Sequence, residues 1–232
     1  MALMFYSKIS SGTLGYYINA RFQWLPYVAL ILLMAFALTL AYQSRNPGRV
    51  DSLSPDLEAV HVHQHSWWVL ALMAVPVVLG LLLPARALSA SAVGSRGLGG
   101  AAPARVAGAV SASVTDESKT IMDWLREFAQ VGGDLPSLAG KPVDVIGFVY
   151  RDKRTTGGAF WVARYTLSCC VADATGIGMI VQSAKSDTYA EGSWVRVRGT
   201  IALSKSDGES LPMIAASLID AVEQPDNPYL FP

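Results

Sequence analysis

Residues 194–200 read Trp194-Val195-Arg196-Val197-Arg198-Gly199-Thr200. From Val195 to Arg198 apolar and charged side chains alternate. A two-residue period sends both valines to one face of a strand and both arginines to the other. Such a strand is half-buried and belongs to a sheet with one face on a core. Four similar segments surround it: Val143–Tyr150, Phe160–Cys169 and Gly178–Ser183 before it, and Met213–Val222 after it. Gly157-Gly158 and Asp207-Gly208 supply turns between neighbours. Five strands in about eighty residues, with Gly147 inside the first, fit a small Greek-key barrel of the OB type. An SH3-like barrel or a small sandwich shares that strand count.

Working upstream, Thr115-Asp116-Glu117-Ser118 is a helix start, with Ser118 or Thr115 as cap and acids in the first turn. Ile121, Trp124, Leu125 and Phe128 fall at i, i+3, i+4 and i+7, one apolar face, and Gly132-Gly133 closes the helix. Residues 116–232 therefore read as a soluble OB-like β domain with a short preceding helix packed on it. Residues 86–115, built from Ala, Ser, Gly and Val with three scattered arginines, read as a flexible linker.

Residues 1–85 are a different material. Trp24–Tyr42 reads WLPYVALILLMAFALTLAY, and no charged side chain occurs from Phe22 to Ser44. A spanning helix needs roughly 17–25 mostly apolar residues. Trp24, Tyr27 and Tyr42 are placed as interfacial aromatics, and Pro26 falls in the first turn, where a missing N–H costs little. A second run, Trp67–Leu83, opens with a Trp pair and contains Pro76 and Gly80, which membrane helices tolerate. The expected fold is thus a membrane α-helical anchor, with helices at about 24–43 and 67–84, plus an all-β domain. Lys8 and Arg21 precede the first helix and Arg86, Arg96 and Arg105 follow the second, against Arg45 and Arg49 between them. That distribution predicts a multi-pass membrane protein with the β domain in the cytoplasm and residues 44–66 outside.

The chain is 52% hydrophobic and 16% charged, against about 25% charged in an average soluble domain. High apolarity with low charge excludes disorder, and two cysteines exclude a disulfide scaffold. The net charge of zero is an average of unlike halves. Residues 1–115 hold seven basic and three acidic side chains, and residues 116–232 hold eleven and fifteen. The compact domain is the acidic part, which counts against nucleic acid as its partner.

Several segments together resemble one bacterial family: Gly15-Tyr16-Tyr17-Ile18-Asn19, Gly140-Lys141-Pro142-Val143, Gly147-Phe148-Val149-Tyr150-Arg151, Ser168-Cys169-Cys170-Val171-Ala172-Asp173-Ala174, Trp194–Gly199 and Asn227-Pro228-Tyr229-Leu230. The chain is similar over nearly its whole length to the YcgQ-type family of membrane proteins, described as two-component permease subunits. The resemblance implies a membrane part, a C-terminal β domain and a separate multi-spanning permease as partner. It also implies a link to metal homeostasis, zinc above all. No biochemical activity comes with it.

Two clusters carry candidate chemistry. All three histidines fall in His61-Val62-His63-Gln64-His65, where alternation puts the imidazoles on one side of an extended segment, or a helix pairs His61 with His65. Either arrangement can present nitrogen to Zn²⁺, Cu²⁺ or Ni²⁺, and interfacial histidines without a ligand fit the pattern too. Cys169-Cys170 is the second. Adjacent cysteines strain a disulfide ring, so two thiols are expected, as in a reducing cytoplasm. At a strand end their side chains point to opposite faces, which predicts one in the core and one at the surface unless the chain bends there. Ser168 and Asp173 stand near enough in sequence to assist. The β domain contains no histidine, and the chain shows no phosphate loop or paired carboxylates, so no enzyme is expected. Neither apolar run contains an acid to relay protons.

The combination predicts a non-catalytic accessory or regulatory subunit of a two-component permease, for a divalent metal or a small metabolite, in contact with membrane lipid. Two alternatives remain. One is a stand-alone metal-binding membrane protein using His61, His63 and His65, with Cys169 and Cys170 as further ligands. The other is an OB-like ligand sensor. A basic and aromatic face of Arg151, Lys153, Arg154, Arg164, Arg196 and Arg198 with Tyr150, Trp161 and Tyr165 is the feature a single-strand binder would use.

Overall fold

In the computed structural model Val195 and Val197 are fully buried, while Arg196 and Arg198 lie on the opposite face with 42% and 43% of their side chains exposed. The structure describes residues 2–45, 67–98, 115–132, 134–152, 157–206 and 209–232. They fall into two units, Met1–Arg86 and Ala87–Pro232.

In the first unit the described helices are α1 (Ala2–Ser10), α2 (Leu25–Arg45) and α3 (Trp67–Leu82). The Asn19 side chain accepts the Arg21 N–H at 3.0 Å and starts the turn that leads into α2. Within α2 the Thr39 and Ser44 hydroxyls donate to the carbonyls of Phe36 (2.7 Å) and Ala41 (2.9 Å). Polar side chains inside the apolar run are thereby satisfied by the helix itself. The helical stretch Ala20–Arg45, 26 residues with an 18-residue window of mean hydropathy 2.2, is long and apolar enough to cross a membrane. Among the described residues it is the only such helix. The expected second span is described over Trp67–Leu82, 16 apolar residues that rise roughly 24 Å against about 30 Å of hydrocarbon, and residues 46–66 before it lie outside the described residues. The helix ends at Leu82, close to the expected end, as suits Pro84, which drives the residue before it out of helical geometry.

The second unit is a barrel of β1 (Pro142–Tyr150), β2 (Ala159–Thr166), β3 (Thr175–Gln182), β4 (Trp194–Ser206) and β5 (Glu209–Ala221), with a short β6 (Tyr229–Leu230) added beside β2. Around the barrel the order is β1-β2-β3-β5-β4, and β4 closes on β1. All these pairings are antiparallel except β3 with β5. This is the five-stranded Greek-key order of an OB barrel. Closure bends the chain sharply in two places. β1 pairs with β4 over Pro142–Phe148 and with β2 over Phe148–Tyr150, so the two ladders meet at Phe148, next to Gly147. A β-bulge between Arg198 and Gly199 re-aims β4 against β5.

Helix α4 (Ile121–Val131) buries Ile121, Met122, Trp124, Leu125 and Phe128 in the barrel core beside Val145, Phe160 and Val197. Its cap is Thr120 rather than Ser118 or Thr115. The Thr120 hydroxyl accepts the Asp123 N–H (3.3 Å), and the Asp123 carboxylate accepts the Thr120 N–H (2.9 Å). Thr120-x-x-Asp123 thus spells a capping box, and Asp116–Ser118 forms a separate 3-10 turn. Just before the cap, Lys119 is 7% exposed and held by Asp116 and by Glu127 (2.5 Å), with its ammonium 4.6 Å from the Trp124 ring centre.

The stretch read as a flexible linker is fixed over its first part. Residues 87–98 lie on the outer face of β1–β3, where Ala90 and Val93 are buried with Phe148, Ala163, Tyr165, Leu167, Ala174 and Tyr229. The Leu88 N–H donates to the Tyr229 hydroxyl (2.9 Å), and the Tyr165 hydroxyl donates to the Ser89 carbonyl (3.0 Å). Leu98 bridges Gly176 of β3. Small side chains that cannot build a core of their own here seat against two tyrosines. Residues 99–114 lie outside the described residues.

Candidate functional site

Strand β2 ends at Thr166, so Cys169 and Cys170 stand beyond it, in a bend that leads into a 3-10 turn at Val171–Asp173. The Asp173 carboxylate organises this bend. Its Oδ1 accepts the Ser168 N–H (3.0 Å), and its Oδ2 accepts the N–H groups of Cys169 (2.7 Å) and Cys170 (3.3 Å). Arg96 holds the other side, with one guanidinium nitrogen 3.0, 3.3 and 3.4 Å from the carbonyls of Val171, Ala172 and Ala174. The loop is therefore pinned from outside as well as from within.

The bend brings both thiols to the same side, their sulfurs 3.6 Å apart. Cys169 is exposed and Cys170 half-buried. The expected split into one core and one surface cysteine is corrected: opposed directions hold only along an extended strand, and the strand has ended. The Sγ atoms and a carboxylate oxygen of Asp173 lie within 4.8 Å of one another. A hydrogen bond to the Asp173 carboxylate, then one to Cys170, pushes the Cys169 thiol up to about 11. Partial burial acts to raise the Asp173 carboxyl. The Cys169 thiol and the three backbone N–H groups outweigh it and hold Asp173 below its usual range. Asp173→Asn is expected to bring the thiol back toward the ordinary value near 8.5. Thiolate becomes commoner while each thiolate becomes less nucleophilic. The rate of Cys169 alkylation by iodoacetamide near pH 8 should then rise about tenfold, as mass spectrometry would follow. An unchanged rate would remove Asp173 as the controlling group.

His61, His63 and His65 lie outside the described residues, as do Lys153 and Arg154. The other arginines of the basic face are spent on the protein. Arg151 donates to the carbonyls of Ser186 (2.7 Å) and Tyr189 (2.8 Å). Arg164 bonds the carbonyls of Asn227 and Pro228. Arg196 makes a two-pronged pair with Asp144 at 2.7 and 2.6 Å, and Arg198 lies 3.6 Å from both Asp144 and Asp220. Trp161 and Tyr165 are buried. Arg96 and Tyr229 had no signal in the sequence as site residues, because their partners lie 75 and 141 positions away.

Together these features define an OB-like barrel whose outer β1–β3 face is covered by its own chain, carried with one apolar helix of membrane length. The chain belongs to the DUF1980 family: the DUF1980 C-terminal domain matches residues 108–232 and the DUF1980 N-terminal domain residues 1–99. It is 20% identical to "UPF0703 protein YcgQ" of Bacillus subtilis, across 98% of this chain and 94% of that protein. It is 21% identical to a Streptococcus mutans protein named "Putative two-component membrane permease complex subunit", across 95% and 92%. A crystal structure of the small single-stranded DNA-binding protein from Streptomyces coelicolor matches 36% of this chain and 94% of its own at 15% identity, with a TM-score of 0.22. That score is too low to carry any argument.

Proposed function

We propose that this protein is a non-catalytic accessory subunit of a two-component membrane permease. Its apolar helices dock against a multi-spanning partner, and its barrel regulates or completes the assembly from the cytoplasmic side. The observation that carries this is α2. Leu32, Phe36, Leu38 and Leu40 along it are exposed, and no acidic or basic side chain precedes Arg45 at its end. Such a helix suits lipid and a partner's apolar surface. It offers no group to line a solute pathway or relay a proton. The Streptococcus mutans relative's name, as a permease complex subunit, agrees.

Nucleic acid is not the proposed ligand of the barrel. OB barrels take strands along the face of β2 and β3, and residues 87–98 occupy that side here. For the same reason the ligand-sensor alternative would need another face. The test is purification of affinity-tagged full chain from its native membrane in mild detergent. A multi-spanning protein in stoichiometric yield is expected. Recovery of the chain with no such partner, under conditions that preserve other membrane complexes, would overturn the subunit assignment.

A further inference from the structure

The loop Ser168–Asp173 has more rigidity than a connection needs. Five of its backbone groups are tied down, three N–H groups by Asp173 and two carbonyls by Arg96, which also holds the Ala174 carbonyl just after it. What this order presents outward is a pair of sulfurs at 3.6 Å. Two bonds of about 2.3 Å to one tetrahedral Zn²⁺ place their sulfurs about 3.8 Å apart. A disulfide instead needs about 2.05 Å, with the intervening peptide drawn into an eight-membered ring. At 3.6 Å the two thiols are in hydrogen-bond contact and not bonded to each other, and an ion could bridge them with little movement of either sulfur. Asp173, whose oxygens accept three N–H groups and lie within 4.8 Å of the sulfurs, holds the bend, and the two sulfurs are the donors that face out. Being soft, they select thiophilic cations over Mg²⁺ or Ca²⁺. Two protein ligands leave two positions of a tetrahedral ion open. That is unlike a closed structural site, and it suits capture and release.

We propose that Cys169 and Cys170 form a bidentate, exchangeable site for a thiophilic divalent cation with the chemistry of Zn²⁺ or Cd²⁺. On binding, each thiol gives its proton to solvent as its sulfur bonds the ion. The ion sheds water, and no electron moves. Asp173 and Arg96 are positioning residues that hold the two sulfurs at bridging distance before the ion arrives. The site stands whether or not the chain has a permease partner.

The test is titration of the reduced full chain in detergent with Cd²⁺, read by the ultraviolet sulfur-to-cadmium charge-transfer band. Imidazole and carboxylate ligands do not produce that band, so binding at His61–His65 leaves it silent. The band is expected to saturate at one Cd²⁺ per chain. Cys169→Ser and Cys170→Ser should each weaken the affinity at least tenfold, and the double variant should lose the band. Neither thiol belongs to the barrel core, so the variants should keep the parental thermal midpoint, which is measured alongside. No band in the parent, the same band in the double variant, or single variants with parental affinity would each overturn the site.

Discussion

Trp124→Ala is expected to lower the stability of the barrel unit by about 3–5 kcal/mol, the usual cost of removing a large buried aromatic. The indole is fully buried in the core shared by α4 and the barrel, and its ring lies 6.0 Å from that of Phe128. Truncation leaves a cavity at the centre of the helix–barrel contact, and the strands cannot collapse into it without opening their ladders. It also removes the ring face under Lys119, whose charge is otherwise balanced by Asp116 and Glu127. Burial acts to lower the Lys119 ammonium, and the two carboxylates outweigh it and raise it. The lysine therefore stays charged and keeps its need for partners. Chemical denaturation of the full chain, followed by near-ultraviolet circular dichroism, reads the effect. A variant within about 1 kcal/mol of the parent would show that α4 does not seal the barrel.

Gly199→Ala should cost about 3 kcal/mol, the upper end for overpacking, and lower the thermal midpoint by about 10 °C. A Cβ at residue 199 would stand 2.2 Å from the Ala215 carbonyl oxygen and 2.9 Å from the Ala216 Cα. Both are backbone atoms of the paired strand, so relief requires separating β4 from β5 at the bulge. Gly147→Ala meets a similar obstacle, 2.5 Å from the Ala163 carbonyl oxygen. Gly132→Ala is the comparison. Its φ of +56° is strained for alanine, yet nothing lies within 4 Å of the added carbon, so about 1–2 kcal/mol is expected. If Gly199→Ala melts no lower than Gly132→Ala, close strand approach does not set the requirement for glycine.

The five strands were legible because side-chain direction in a strand repeats every two residues, a local rule that needs no partner. Val195 and Val197 went inward and Arg196 and Arg198 outward as the period dictates. The apolar face of α4 was legible for the same reason at a helical period. Its cap was misplaced by two residues, since Thr115, Ser118 and Thr120 can all cap and only Asp123 three positions on selects Thr120. The apolar run from Trp24 declared a helix of membrane length. The run from Trp67 looked like another, and its described part, Trp67–Leu82, is an apolar helix shorter than a span.

The sequence by itself therefore determined the kinds of element: apolar helices, the first of membrane length, one amphipathic helix and a set of barrel strands, each written in local pattern. Tertiary structure decided closure and the site. Residues 87–98 carry no period and too little apolar surface to fold alone, and they become ordered only against Tyr165 and Tyr229 of a finished barrel. The two thiols share a side only because Asp173 and Arg96 fix the bend between them. Arg96 is 75 positions from the Val171 carbonyl it holds. Contacts across that separation form when the chain has folded and leave no mark in the local pattern on either side.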